Sequence, residues 1–165
     1  MKTIIIGTSL SGKTTLVRYM REQYPQYSIK EIDEELTQHY GGTFPTDPEL
    51  KTNVLAPQII EDVLSRSDVI FFTNTDYFSI QDLRHAKEKG FTIVQLNIEL
   101  QELFMRNTLR VKNEGYDDIS QWLPGMCKYQ KQIFDVGLVD YKIDATKSTT
   151  RIATEIVAAN LNVKK

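Results

Sequence analysis

The sequence predicts an α/β protein, a mainly parallel five-stranded sheet covered by helices on both faces in three α/β/α layers. Three observations carry the prediction. Short runs rich in Ile, Val and Phe alternate with longer stretches of helical period. A glycine-rich turn joins the first apolar run to the first helical one. The composition, 41% hydrophobic and 25% charged over 165 residues, is that of one globular domain.

The elements follow in order. Lys2–Ile6 reads as the first strand, and Leu16, Val17, Met20 and Tyr24 recur at helix spacing until Pro25 stops them. Ser28–Ile32 is the second strand. Leu55, Ile59 and Val63, with Ile60 and Leu64, make two i,i+4 rows in which Pro57 marks a kink or a helix start. Val69–Thr73 is the third strand, followed by an Ile80, Leu83, Ala86 stripe that ends before Gly90. Phe91–Asn97 is the fourth strand. Leu100, Leu103, Phe104 and Val111 form the next stripe, and Met126, Tyr129, Ile133 and Phe134 another that stops at Gly137. Leu138–Ile143 is the fifth strand, and Ser148 caps a last helix carrying Ile152, Ala153, Ile156, Val157 and Leu161. Strands alternating with helices in this way require crossover connections and hence a parallel sheet. Ligands of such sheets sit at the carboxyl ends of the strands, so the turns after Ile6, Ile32, Thr73, Asn97 and Ile143 are where function is expected.

Composition excludes several classes. Twenty Lys and Arg against 22 Asp and Glu leave a net charge of −2, so there is no global field to hold a nucleic acid. No apolar run approaches the roughly 20 residues of a membrane span, and Ile4–Ile6 is too short for the core of a signal peptide. Cys127 alone makes neither an internal disulfide nor a cysteine-based metal site. A cytoplasmic location, with no nucleic-acid or membrane partner, is the expectation. His39 and His85 are isolated from other metal-ligating residues.

The strongest motif is Gly7-Thr8-Ser9-Leu10-Ser11-Gly12-Lys13-Thr14, which fits G-x-x-x-x-G-K-[ST] at every fixed position, between a strand and a helix. Gly7 permits the sharp exit from the strand, and Gly12 lets main-chain N–H groups turn inward around a phosphate. The helix N-terminus adds roughly half a positive charge. In such a loop the lysine, here Lys13, reaches the β- and γ-phosphates, the hydroxyl of Thr14 ligates Mg²⁺, and Thr15 stands beside the α-phosphate. The dinucleotide pattern G-x-G-x-x-G is absent.

With its P-loop at residue 7 and five strands, the chain resembles the small-molecule kinases typified by nucleoside monophosphate kinases and shikimate kinase. The resemblance implies one P-loop kinase-like domain over residues 1–165, with a lid near 106–121 and an acceptor-binding segment near 33–65. It implies transfer of the γ-phosphoryl of Mg·ATP to a small metabolite, a nucleoside or nucleotide or a shikimate-like hydroxyl compound. The alternative is an ATP-binding module with little or no kinase activity. Asp33-Glu34-Glu35 resembles the family's D-x-D element, with Glu35 in place of the second aspartate. Asp33 would then hold the acceptor, take its proton and complete the Mg²⁺ shell; equally, Asp33 would simply cap the second helix. Arg106 and Arg110, four apart on one helix face, match the family's lid arginines, or else pair with Glu102 and Glu114 on a solvated face. Ala145 and Thr146 lie in the turn that in the family passes beside the adenine ring. Neither the N-K-x-D nor the D-x-x-G signature of GTPases is present.

The sequence also departs from the family. Thr73–Phe78 lacks the D-G-[FY]-P-R of adenylate-type kinases, and Asp76 is the acidic group on offer for a Walker B role, though it lies three residues past the strand and the residues leave that role open. The missing arginine counts against a nucleoside monophosphate acceptor, unless Arg84 replaces it. Trp122, Tyr129 and Phe134 are expected in the core, as is Cys127. Tyr40, Phe44 and the Pro45/Pro48 turn fall where the family places its acceptor.

Overall fold

The computed structural model describes residues 1–162. Five parallel strands, β1 (Lys2–Gly7), β2 (Ile29–Glu31), β3 (Val69–Asn74), β4 (Thr92–Asn97) and β5 (Tyr141–Asp144), form one sheet in the order β2-β3-β1-β4-β5. The helices are α1 (Lys13–Gln23), α2 (Ile32–His39), α3 (Pro48–Leu50), α4 (Ala56–Ser65), α5 (Ile80–Glu88), α6 (Leu100–Glu114), α7 (Leu123–Asp135) and α8 (Thr149–Asn162). The three-layer α/β/α arrangement expected from the alternating pattern is the one observed.

The strand pleat divides the core. Ile4 and Ile6 of β1, Phe71 of β3 and Ile93 of β4 point to one face, where they meet Ile32 and Leu36 of α2, Ile59 and Val63 of α4, Leu83 of α5 and Ile133 of α7. Ile5, Ile70, Phe72, Val94 and Leu96 point to the other, against Leu16, Val17 and Met20 of α1, Leu103 of α6 and Ile152 and Ile156 of α8. Every strand of β1, β3 and β4 is apolar on both sides because both sides are covered. The strand ends at Gly7, Asn74 and Asn97 are therefore in line, and the site lies above them.

Several boundaries differ from the expectation for physical reasons. Strand β5 starts at Tyr141, not Leu138. The Asp140 N–H donates to the Ile93 carbonyl (2.9 Å) while its carboxylate accepts from the Ile93 N–H (2.8 Å), so a side chain closes the end of the ladder. Ile32 opens α2 rather than closing β2, with Glu31 at the cap position, so Asp33 lies in the first turn and does not cap. Pro57 stands at the second position of α4, after a π-helical turn over Lys51–Leu55 that continues from α3. A proline ring cannot sit against the carbonyl four residues earlier, and the wider turn relieves that clash. Trp122, in a 3-10 turn ahead of α7, and Phe134 are exposed, and Cys127 is half-buried, whereas Tyr129 packs on the core and donates its hydroxyl to the Phe78 carbonyl (2.7 Å).

Candidate active site

The phosphate loop begins where β1 ends. A Cβ added to Gly7 would lie 2.6 Å from the Ser11 Oγ and 3.4 Å from the Leu96 Cβ, so any side chain there would force the buried Ser11 hydroxyl to move. At Gly12 the requirement is different: a Cβ would meet nothing within 4 Å, but φ is +89°, a conformation that L side chains avoid. Leu10 adopts φ +66° without being glycine, and its carbonyl accepts a hydrogen bond from α6. Thr8 and Ser11, within the loop, are buried, and the Thr8 Oγ1 is a buried oxygen without a hydrogen-bond partner among the described residues.

Lys13, the first residue of α1, is buried and folds back over the loop. Its ammonium donates to the Thr8 carbonyl (2.7 Å) and the Gly7 carbonyl (3.1 Å). Burial pushes its pKa down to about 8, against the opposing pull of Glu31, Asp33 and Asp76. Beside it, the Thr14 hydroxyl donates to the Glu31 Oε1 at 2.9 Å. Glu31 is buried at the carboxyl end of β2, and desolvation raises its pKa, with the Thr14 hydrogen bond opposing. Asp33 follows on α2; partial burial raises its pKa while Lys13 and Lys51 pull it down.

A cleft of about 550 Å³ gathers these groups. Its floor is Ser9, Leu10, Gly12, Lys13, Thr14 and Thr15, one wall holds Glu31, Asp33 and Asn74, and the other is the face of α6 that carries Arg106 and Arg110. Arg106 makes the pair with Glu102 that was its alternative, Nε donating at 2.8 Å, and its NH1 also donates to the Leu10 carbonyl of the loop (3.0 Å). The Arg110 guanidinium lies 3.7 Å from the centre of the Tyr116 ring, which also lines the cleft.

Helix α6 runs on to Glu114 and ends at Gly115 with φ +70°, so only the second half of the polar 112–120 stretch is loop. That loop is tied down. Buried Asn107 donates its Nδ2 to Asp118 (2.7 Å) and accepts the Ile119 N–H on its Oδ1 (3.2 Å).

Three residues singled out in the sequence do not line this cleft. Glu35 is buried and ion-paired with Lys30, away from the cleft. With Asp33 and Glu35 both helical, two residues of about 100° each turn them to opposite sides. The acidic pair at the cleft is Glu31 and Asp33, two residues earlier than the pattern anchored on Asp33. Ala145 and Thr146 do not line the cleft: Ala145 is buried with its N–H on the Asn97 carbonyl (2.8 Å), and Thr146 donates to Asp144 (2.7 Å). Asp76 sits in the 3-10 turn Thr75–Tyr77, close enough to act on Lys13 and Tyr77 through its field, while Asn74 occupies the end of β3. Arg84 is exposed on α5.

The same architecture occurs in solved structures. The shikimate kinase of Acinetobacter baumannii in complex with shikimate superposes with a TM-score of 0.73 at 19% identity, covering 98% of this chain and 94% of that one. Shikimate kinase from Aquifex aeolicus gives 0.72 at 18% identity, over 96% and 95% of the two chains. This chain has their fold. A gluconokinase from Sinorhizobium meliloti gives 0.64 at 19% identity, over 98% and 93%. No protein-family model and no curated protein sequence matches the chain.

Proposed function

We propose that the protein is a P-loop phosphotransferase that moves the γ-phosphoryl of ATP to a hydroxyl of a small metabolite. The observation that carries this reading is the convergence of Lys13, Thr14, Glu31, Asp33, Arg106 and Arg110 on one cleft above the strand ends. The fold shared with shikimate kinases and a gluconokinase supports it.

The oxygens present suit Mg²⁺. The Thr14 hydroxyl and the Glu31 carboxylate are hard donors in contact with each other, with Asp33 on the same wall. Among the described residues no three His, Cys, Asp or Glu side chains cluster as a metal site. Thr14 and Glu31 would therefore supply only part of a shell, the usual arrangement for Mg²⁺ with phosphate oxygens and water. Bound there, the ion would offset the charge of the triphosphate.

The residues of the chain account for the rest. Main-chain N–H groups from Ser9 to Thr15 and the α1 N-terminus hold the phosphates. Lys13, moving its ammonium from the loop carbonyls to the phosphates, binds the β- and γ-groups. Arg106 and Arg110, with the 106–121 segment as lid, neutralise charge on the transferring group and exclude water. Asp33 takes the proton of the acceptor hydroxyl as that oxygen forms its bond to the γ-phosphorus; the bond from γ-phosphorus to the β,γ-bridging oxygen breaks, and ADP leaves with that electron pair. Residues 33–65 would present the acceptor.

ADP release measured with ATP, Mg²⁺ and a panel of acceptors tests the reading. Acceptor-dependent release that is lost in Lys13→Ala supports it; ATP binding with no acceptor-dependent turnover leaves the second reading, a nucleotide-binding module. Asn74, an amide where many P-loop proteins place a carboxylate, is the observation that favours this alternative.

A further inference from the structure

Two arginines of α6 line the cleft, and they are held in different ways. Arg106 has its fork engaged, Nε on Glu102 (2.8 Å) and NH1 on the Leu10 carbonyl (3.0 Å). Arg110 makes no hydrogen bond and no ion pair among the described residues; Glu114, one turn on and also in the cleft wall, does not engage it. Its partner is the ring of Tyr116, whose centre lies 3.7 Å from the guanidinium carbon. That is the spacing of two flat groups laid face to face. A guanidinium aiming an N–H at the ring would hold its carbon farther off.

Local structure places that ring. Helix α6 ends at Glu114, and Gly115 at φ +70° turns the chain out of the helix, so that residue 116 comes back beside residue 110. Two residues further on, Asp118 accepts from the Asn107 amide (2.7 Å), and the Ile119 N–H donates back to Asn107 (3.2 Å). Tyr116 therefore stands between a helix cap and a side-chain clasp, although it is itself 51% exposed. A ring differs from a carboxylate in what it leaves available. A carboxylate takes up part of the N–H fork and cancels the charge, whereas a ring covers the flat face and leaves the donors and the charge for another ligand. An arginine with neither partner would spread over many rotamers and have to be ordered at each turnover.

Resting on the phosphotransferase reading above, we infer that Tyr116 is a positioning residue: its ring holds Arg110 over the cleft with the guanidinium edge open to the oxygens of the transferring phosphoryl group. Arg106 is tied to the phosphate loop and Arg110 only to a ring face, so Arg110 can meet the γ-phosphoryl without first releasing a hydrogen-bond partner.

Tyr116→Leu and Tyr116→Phe, each alone and in an Arg110→Ala background, provide the test. Thermal unfolding is measured first, and the exposure of Tyr116 predicts little change in it. In acceptor-dependent ADP release, Tyr116→Leu should lower kcat about 3–10-fold and leave the KM for ATP within about twofold, the effect of losing one cation–π contact. Tyr116→Phe keeps the ring and should keep the parent rate. With Arg110 already removed, Tyr116→Leu should change nothing further. A second readout needs no acceptor: calorimetric affinities, with Mg²⁺, for ADP and for the β,γ-imido analogue of ATP. The preference for the triphosphate should shrink in Tyr116→Leu and hold in Tyr116→Phe. Three results each overturn the inference: kcat and nucleotide preference both unchanged in Tyr116→Leu, an equal loss in Tyr116→Phe, or an undiminished effect of Tyr116→Leu without Arg110. Nucleotide binding with no acceptor-dependent turnover refutes the phosphotransferase reading, and the triphosphate preference then still decides the role of Tyr116; binding of neither nucleotide refutes both.

Discussion

The hydroxyl of Thr14 donates to the carboxylate of Glu31 across 2.9 Å, so the helix behind the phosphate loop is joined to the end of β2, two strands away in the sheet. If both oxygens serve Mg²⁺, Glu31→Gln retains the shape and the hydrogen bond but halves the local charge. Turnover is expected to need about 10–100-fold more Mg²⁺. Initial rates across a magnesium titration check this; an unchanged magnesium requirement would remove Glu31 from the metal role.

Lys13 sets a pH dependence. Its pKa in the folded protein is about 8 against an ordinary 10.5. Between these values the unfolded chain binds the proton and the folded chain does not, so stability rises with pH over that window and the cost of the buried ammonium is fully present below about 8. Nucleotide affinity runs the other way. Above about pH 8 binding must recruit a proton for Lys13, and affinity should fall by up to about tenfold per pH unit. Calorimetry of Mg·ATP in buffers from neutral to alkaline measures the slope, and Lys13→Met should bind weakly with none. In the protein without nucleotide, Lys13→Met should be more stable at neutral pH, by on the order of 1 kcal/mol, since the relieved desolvation exceeds the lost hydrogen bonds to carbonyls.

Arg106 and Arg110 should separate kinetically. Arg106 holds the Leu10 carbonyl, and with it the left-handed turn of the loop. Arg106→Ala is expected to raise the KM for ATP as well as lower kcat. Arg110 makes no hydrogen bond to the phosphate loop among the described residues and lies on the Tyr116 ring, so Arg110→Ala should act on kcat, by about 10²–10³ if it stabilises the transferring group. Steady-state kinetics of both variants decide it, and undiminished turnover in the double variant would end the lid assignment.

Asn107 is the clasp of the loop after α6. Asn107→Ala leaves the Ile119 N–H and the Asp118 carboxylate without their partner, at a cost of about 1–3 kcal/mol. Thermal unfolding reads the cost, and limited proteolysis should cut between Gly115 and Ile119 faster than in the parent protein. Asn107→Asp, which keeps the acceptor for Ile119 and repels Asp118, should be intermediate or worse in protection.

What could be read from the residues was what local rules determine. The phosphate loop is contiguous, its glycines have their own steric reasons, and strands covered on both sides announce themselves as continuous apolar runs. Ser148 was likewise recognisable as a cap, and its hydroxyl accepts the Arg151 N–H (3.4 Å). Glu31 escaped notice because it closes a strand whose other residues read as sheet, and only the approach of α1 brings Thr14 to it. A carboxylate at the carboxyl end of a parallel strand was the available signal. Glu35 parts from Asp33 because helix α2 already begins at Ile32, and two helical steps turn their side chains to opposite sides, which the D-x-D spacing does not reveal. The exposed Trp122 has the same origin, since the period of α7 does not extend back into the 3-10 turn that holds it.

The fold of Lys13 over its own loop has a thermodynamic consequence. On the phosphotransferase reading, an incoming triphosphate would not meet a bare ammonium; it would have to win that group from two carbonyl oxygens that already occupy it. Recognition at this lysine is thus an exchange of partners with a modest net gain. On the same reading affinity would come instead from the main-chain amides, and release of the spent diphosphate would be eased by a ready-made internal substitute.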